Sequence, residues 1–476
     1  MNIFDIIKQE TEGVRGKAAV IEGNTVVTYG ELIGAAEALA ETLRKKGVTR
    51  LLRVGLLCDD SIDYVIASLA ILSLSAAIVP VSPEQTADEI ETVIDRIDVD
   101  FIIAEPRLRP GGYGEPLRSA GILKKEFIIV KRTTRERPKS EYFRINPAFI
   151  RFSSGTTGTS KGVVLSHEAI VDRTDAADKG LLVTSRDNVL WVLSMSFHFV
   201  VTILLFLRRG ATIVLCGHRF PETLIEGITK HHGTFIYASP FHYNLLSRTD
   251  ALAGDALKNV RLAVSTAMKL PANIAGDFQK KFGFELTEAY GIIEVGLPFV
   301  KLSGGEEKRG SVGKPLPDYT IRLDKKDAGG VGEIWIKGKG MLDAYYSPWQ
   351  AREDILVDGW FKTGDLGRID EDGFLFIVGR EKDVINFVGM KVFAQEVEAV
   401  LNQHPQVKES LVYGADHPVY GQLPMAKIVL REGESAPEVN DLRRYCYGHL
   451  AQYKVPKDFE FVPELPKTAS GKIKRR

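Results

Sequence analysis

The chain has 476 residues, 44% of them apolar and 26% charged, and its 62 basic and 62 acidic side chains leave no formal net charge. That length exceeds one ordinary hydrophobic core and predicts at least two domains. The charge balance argues against a phosphate backbone or an anionic membrane as the main partner, so no nucleic-acid partner is expected.

The opening MNIFDIIKQE carries acids early and shows neither a cleavage signal nor a long apolar stretch, and no run reaches transmembrane length. The expectation is a soluble cytoplasmic protein. AAVIE, a turn at Gly23-Asn24 and the β-branched TVVT read as a hairpin. A helix follows, because Thr28 and Glu31 have capping-box spacing, Leu32, Ala36, Leu39 and Leu43 recur at helical intervals, and Gly47 supplies the stop. RVGLL, SIDYVIASLAIL, AIVPV, DEIETVIDRI and FIIAE continue the alternation of strand and helix, which predicts βαβ units and parallel sheet.

Residues 107–146, rich in Pro, Gly, Lys and Arg, read as a surface connection before the strand AFIRF. ATIVLC, PETLIEGITKHH, TFIYAS, RLAVS and ANIAGDFQKKF then repeat the alternation, so a second sheet is expected. Cys58, Cys216 and Cys446 are far apart and form no C-x-x-C pair, which predicts buried thiols rather than a disulfide framework or a zinc site. Further on, FLFIVGREKDVINF passes from a strand into a charged segment, and KVFAQEVEAVL starts a fresh helical pattern. VKESLVYG, MAKIVLRE, VNDLRRYCYGHL and FEFVPEL alternate in a small final unit, with a boundary near Arg380 to Asp383.

FSSGTTGTSKGV, residues 152–163, packs glycines, hydroxyl side chains and one lysine between two apolar strands. Glycines let backbone N–H groups approach an anion, hydroxyls add donors, and Lys161 brings a mobile positive charge. Such a loop suits polyphosphate, and a plain hairpin turn gains nothing from this density of donors. A Walker-type loop needs G-x-x-x-x-G-K followed by Ser or Thr, whereas Lys161 follows Ser160 and precedes Gly162.

At this loop the sequence strongly resembles the adenylate-forming superfamily of acyl-CoA synthetases, amino-acid adenylation domains and luciferases, whose signature has the form Y/F-S/T-S-G-T-S/T-G-x-x-K-G. SFHF at 196–199, AYGIIE at 289–294, GEIWIKG at 332–338, WFKTGDLG at 360–367, VGREKDVINFVGMKVFAQEVE at 378–398 and PKTASGK at 466–472 follow in the family's order. The resemblance implies a large N-terminal domain of stacked α/β sheets (1–379), a hinge at 380–383 with Lys382 as pivot, and a small mobile α+β C-terminal domain (384–476).

It also implies ATP-dependent conversion of a small-molecule carboxylic acid to an acyl-adenylate, with release of pyrophosphate, followed by transfer to the thiol of coenzyme A. The phosphopantetheine of an acyl carrier protein is an alternative acceptor, and a non-catalytic nucleotide-binding member of the same fold is a second alternative. ATP or AMP would be bound by Ser153, Ser154, Gly155, Thr156, Thr157, Gly158 and Lys161 of the loop. Tyr290 and Gly291 would hold the adenine, and Asp365 and Arg380 the ribose.

Glu294 would hold Mg²⁺, for which hard oxygen ligands are suited. Lys472, His198 and Lys161 are the implied catalytic residues, Lys472 entering the site from the small domain and stabilising charge that grows on the reacting oxygens. Phe197, His198 and Val201 would line the acyl pocket, with the apolar run FVVTILLFL behind them. Histidine at 198 favours the acyl- or aryl-CoA ligase branch, because amino-acid adenylation domains usually carry Asp there.

Four departures bear on substrate and turnover. Ile293 stands where relatives have a Thr that reaches the α-phosphate. Thr266 and Met268 are bulkier than usual in STAMKLP, Val201 replaces a frequent Gly, and Asn386 stands where several ligases have Lys. Asp365 itself is expected to be an exposed loop acid.

Overall fold

The computed structural model describes residues 1–108, 115–116, 124–133, 138–152, 161–388, 390–468 and 472–475. Two large mixed sheets dominate it, one of eight strands and one of nine. In the eight-stranded sheet, strands Asn188–Trp191, Thr212–Leu215, Phe235–Ala238, Leu262–Ser265 and Thr287–Ile292 run parallel, and the antiparallel strand Gly296–Val300 closes one edge. The nine-stranded sheet is built around Arg53–Leu57, Ala77–Val81, Phe101–Ala104 and Pro147–Phe152.

Side chains alternate across a strand, and that alternation sets the layers. Val189 and Trp191 point into the main core while Leu190 points the other way, onto Leu224, Ile228, Leu246 and Phe278 of the outer helices. Val54, Leu56 and Ile78 of the nine-stranded sheet enter the same core as Val189 and Trp191, so the two sheets face each other across it. Helix Ile62–Ser73 lies between them, buried on every side except near its end. The predicted helix after Thr28 forms over Tyr29–Lys45 with both reciprocal bonds of the capping box.

A four-stranded antiparallel sheet carries Tyr319–Asp324, Gly332–Gly338, Phe361–Ile369 and Leu375–Arg380. A final sheet uses only chain beyond Val384, with Val407–His417 and Gly421–Leu430 as its long hairpin. Helices Ala394–Leu401 and Val439–Tyr447 pack on it, and Ile385, Val397, Leu401, Ile428 and Leu442 form a separate core.

The segment 107–146 is not only surface connection. Ile128–Lys131 pairs antiparallel with Phe101–Ala104, and Tyr142 is fully buried with its hydroxyl donating to Leu51 O at 3.1 Å. The strand is four residues long and framed by charge, too short for a period to stand out against its Pro- and Gly-rich surroundings. Cys58, Cys216 and Cys446 are buried free thiols. Among the described residues no helix is long and apolar enough to cross a membrane.

Candidate active site

Asp365 and Arg380 lie opposite each other on the antiparallel strands Phe361–Ile369 and Leu375–Arg380. Gly364, at φ +69°, takes the left-handed conformation that a side chain would resist, and its N–H reaches Glu333 Oε1 at 3.2 Å. The turn places the Asp365 carboxylate between Arg380 Nε, 2.9 Å from Oδ1, and the Tyr290 hydroxyl, 2.5 Å from Oδ2. The expectation of an exposed loop acid is therefore corrected: Asp365 sits within a strand, 4% exposed. Burial pushes its carboxyl up, while Arg380, Tyr290 and Lys472 pull it down.

Tyr290 reaches this cluster from strand Thr287–Ile292, where it pairs with Phe299. Gly291 next to it is required by packing, since a Cβ there would stand 2.4 Å from Gly296 O. Glu294 follows in the turn to Gly296–Val300, held by Leu342 N donating to Glu294 O at 2.7 Å. Arg173, fully buried, braces the same turn by donating to Ile293 O at 3.0 Å and to Gly340 O at 2.9 Å. Burial raises the Glu294 carboxyl, against the attraction of Arg151 and Arg380. Tyr345 links it to Lys161: the tyrosine hydroxyl lies 3.4 Å from Glu294 Oε1, and the Lys161 ammonium lies 4.6 Å from the centre of the same ring. Lys161 also donates to Gln350 Oε1 at 2.9 Å.

On the other wall, Phe197 and His198 end the short helix Met195–His198, which runs into a π-helical turn over Phe199–Ile203 containing Val201. Such turns widen a helix locally and recur at functional sites. Asp60 fixes the start of this segment by accepting from Met195 N at 2.9 Å. Behind His198, Trp191 makes an edge contact at 6.2 Å and stacks on Tyr237. Thr266 is buried, whereas Met268 is 42% exposed. Enclosure, and then the charges of Arg151 and Lys472, hold His198 at about 3, so its imidazole is neutral.

Lys472 enters from the last residues of the chain. Thr468 N donates to Lys472 O at 2.7 Å and Lys472 N to Thr468 Oγ1 at 3.1 Å, which closes a loop. Arg475 anchors that loop with two bonds to Glu398, at 2.8 and 2.6 Å, and a 3.5 Å ion pair to Asp383 beside Lys382. The Lys472 side chain keeps contact with solvent, yet crowding and then the Arg380 and Arg151 cations push it down to about 8.

The structure therefore brings Tyr290, Asp365, Arg380, Glu294, His198 and Lys472 into one cluster, with Lys161 joined through Tyr345. Ser153, Ser154, Gly155, Thr156, Thr157 and Gly158 lie outside the described residues. Sequence reasoning missed Arg151, Arg173, Tyr345 and Asp60. Arg151 alone carried a signal, a charged side chain in the otherwise apolar strand AFIRF.

Glu294 fits a magnesium site of one kind only. Among the described residues no group of three or more His, Cys, Asp or Glu could cage a metal, but Mg²⁺ commonly takes one or two carboxylates and completes its shell with water and phosphate oxygens. A single acid beside two arginines and a lysine is suited to an anionic ligand that brings the ion with it.

The profile of the AMP-binding enzyme family matches residues 7–346, and that of the AMP-binding enzyme C-terminal domain matches residues 396–472. The chain is 29% identical to a 2-succinylbenzoate–CoA ligase of Bacillus licheniformis, over 98% of each chain. It is 32% identical to a long-chain-fatty-acid–CoA ligase of Yersinia pestis, over 73% of this chain and 64% of that one. Among solved structures, the O-succinylbenzoate coenzyme A synthetase of Bacillus subtilis in complex with AMP superposes with a TM-score of 0.84 at 25% identity, covering 99% of this chain and 97% of that one. ATP-bound MatB from Rhodopseudomonas palustris shares the fold, with a TM-score of 0.86 at 23% identity over 99% and 97% of the two chains.

Proposed function

The chain belongs to the AMP-binding enzyme family, and from that premise we propose that it is an AMP-forming carboxylic acid–CoA ligase. The observation that carries this reading is the delivery of Lys472, from the C-terminal unit, to the cluster of Asp365, Arg380 and Arg151 in the rest of the chain. A cation that arrives with a mobile unit can stabilise the transition state without holding the ground state.

In this reading the Tyr290 ring packs on adenine, and Asp365 accepts from the ribose hydroxyls while Arg380 holds its carboxylate in place. The substrate carboxylate attacks the α-phosphorus of ATP in line, the bond to the β-phosphate breaks, and pyrophosphate leaves. Fixing the two reactants in contact supplies much of the rate, and Lys161 and Lys472 neutralise the oxygens that gain charge. Bound through Glu294, Mg²⁺ would add Lewis-acid neutralisation of the triphosphate. His198 stays neutral, which suits a wall of the acid pocket rather than a proton donor.

The units are 1–379 and 384–476, joined by a hinge at 380–383, a division supported by the final sheet drawing only on chain beyond Val384. Rotation about Lys382 then withdraws Lys472 and admits the thiol, whose attack on the acyl carbon expels AMP. Coenzyme A is the acceptor we assign, since the matched relatives are CoA ligases. The cytoplasm, which supplies ATP and coenzyme A, is the assigned location.

Pyrophosphate release measured with aliphatic, aryl and dicarboxylic acids tests the reading. At least one acid should release pyrophosphate and, on adding coenzyme A, yield its thioester. Release with no acid would leave a nucleotide-binding scaffold, and thioester only with a carrier protein would move the acceptor to that class.

A further inference from the structure

Arg151 is the penultimate residue of the strand Pro147–Phe152 and its one charged side chain. Its guanidinium lies over the Phe197 ring, 5.5 Å from the ring centre, and Nη1 donates to the Phe197 carbonyl. That single bond leaves most of its five donors over, and Nε is buried without a partner among the described residues. A buried donor left unpaired is costly, so it needs a reason. The surroundings supply one. Arg151 is near enough to affect the charge of His198 and Glu294, and of Lys472 where it enters, so in the ligase reading it stands where acid, phosphate and the mobile lysine would meet. Ile293, next to Glu294, packs its hydrocarbon side chain against the main core and offers no donor.

Resting on the ligase reading above, we propose that Arg151 is a further catalytic residue, whose guanidinium binds the oxygens shared between the reacting carboxylate and the α-phosphate. As the carboxylate oxygen bonds to phosphorus and the electron pair of the breaking bond leaves with pyrophosphate, Arg151 stays protonated and donates throughout. Burial lowers its guanidinium to about 10, still well above neutral pH. Because Arg151 belongs to a strand of the large sheet and not to the mobile unit, it remains in place when Lys472 withdraws. It therefore also serves the second half-reaction, where AMP departs as an anion.

Arg151→Gln and Arg151→Lys decide this, each checked for folding by thermal melting and assayed for both half-reactions with the acid that the parent uses best. For Arg151→Gln, kcat for pyrophosphate release should fall at least about a hundredfold, and thioester formation from preformed acyl-adenylate at least about tenfold. Arg151→Lys should recover part of both. Parental kcat in either half-reaction overturns the proposal. So does a rise in KM for the acid alone, which would mean that Arg151 only shapes the pocket wall, or a loss confined to dicarboxylic acids, which would mean that it binds a distal anion. If Arg151→Gln does not fold, Arg151→Lys carries the test, because an ammonium cannot span both Phe197 and substrate: a parental kcat overturns the proposal. A parent inactive with every acid overturns the ligase reading and this proposal together, whereas an active parent with an unchanged variant overturns this proposal alone.

Discussion

Asp365 and Arg380 face each other across adjacent antiparallel strands and are joined by a 2.9 Å ion pair, with the Tyr290 hydroxyl on the other carboxylate oxygen. The register that builds the sheet thus also builds the proposed ribose site.

Asp365→Ala should therefore weaken ATP binding and also cost stability, of order 1–3 kcal/mol, because it removes the partner of the half-buried Tyr290 hydroxyl and an ion pair to Arg380. Calorimetric titration with ATP and a denaturant melt measure the two effects. Full ATP affinity in a folded variant means that the pair serves the sheet alone.

Lys472→Ala should reduce acyl-adenylate formation about a hundredfold while leaving thioester formation from preformed acyl-adenylate nearly intact. Lys472 is charged below about 8 and neutral above it. Adenylation by the parent should accordingly fall as pH rises through about 8, and that limb should be missing from the variant's profile. Equal losses in the two half-reactions refute the assignment.

Lys382→Pro should show the opposite pattern. Proline fixes φ near −65°, so the proposed pivot is frozen while both reaction centres remain untouched. Adenylate formation should persist and thioester formation should be lost. A folded variant that makes thioester at the parental rate places the hinge elsewhere.

Arg475→Met removes both bonds to Glu398, a carboxylate 7% exposed, and the contact to Asp383. Breaking one side of a buried pair costs about 3 kcal/mol. Lys472, three residues earlier, should lose its fixed entry as well, so adenylation should fall more than thioester formation. Two half-reactions falling in equal proportion would mean that Arg475 supports the fold only.

Asp60 is half-buried, and enclosure by the surrounding protein raises its carboxyl to about 7 despite the bond from Met195 N. The folded state therefore holds a proton that the unfolded chain releases near pH 4. Its effect on stability is full below pH 4 and is lost as pH rises to about 7. Asp60→Asn should remove that decline, so that the variant gains on the parent between pH 4 and 7, as read by melting curves. Identical pH profiles would show that Asp60 is ionised throughout.

The sequence alone determined the elements and most of the candidate site. Alternating strand and helix periods follow from which faces must be buried, and the capping box at Thr28 and Glu31 is a local bond that forms as written. Gly291 and Gly364 are legible for the same reason, since backbone approach and a left-handed φ depend on the residue itself. Tyr345 and Asp60 could not be found that way, and Arg151 only as a charge in an apolar strand. Each acts on residues far along the chain, Arg151 on Phe197, Tyr345 on Glu294 and Asp60 on Met195, and only the packing of the sheets brings those partners together. The burial of Asp365 was hidden by the same cause: a turn motif records local backbone geometry, whereas enclosure by Tyr290 and Arg380 is set by strands from three places in the sequence.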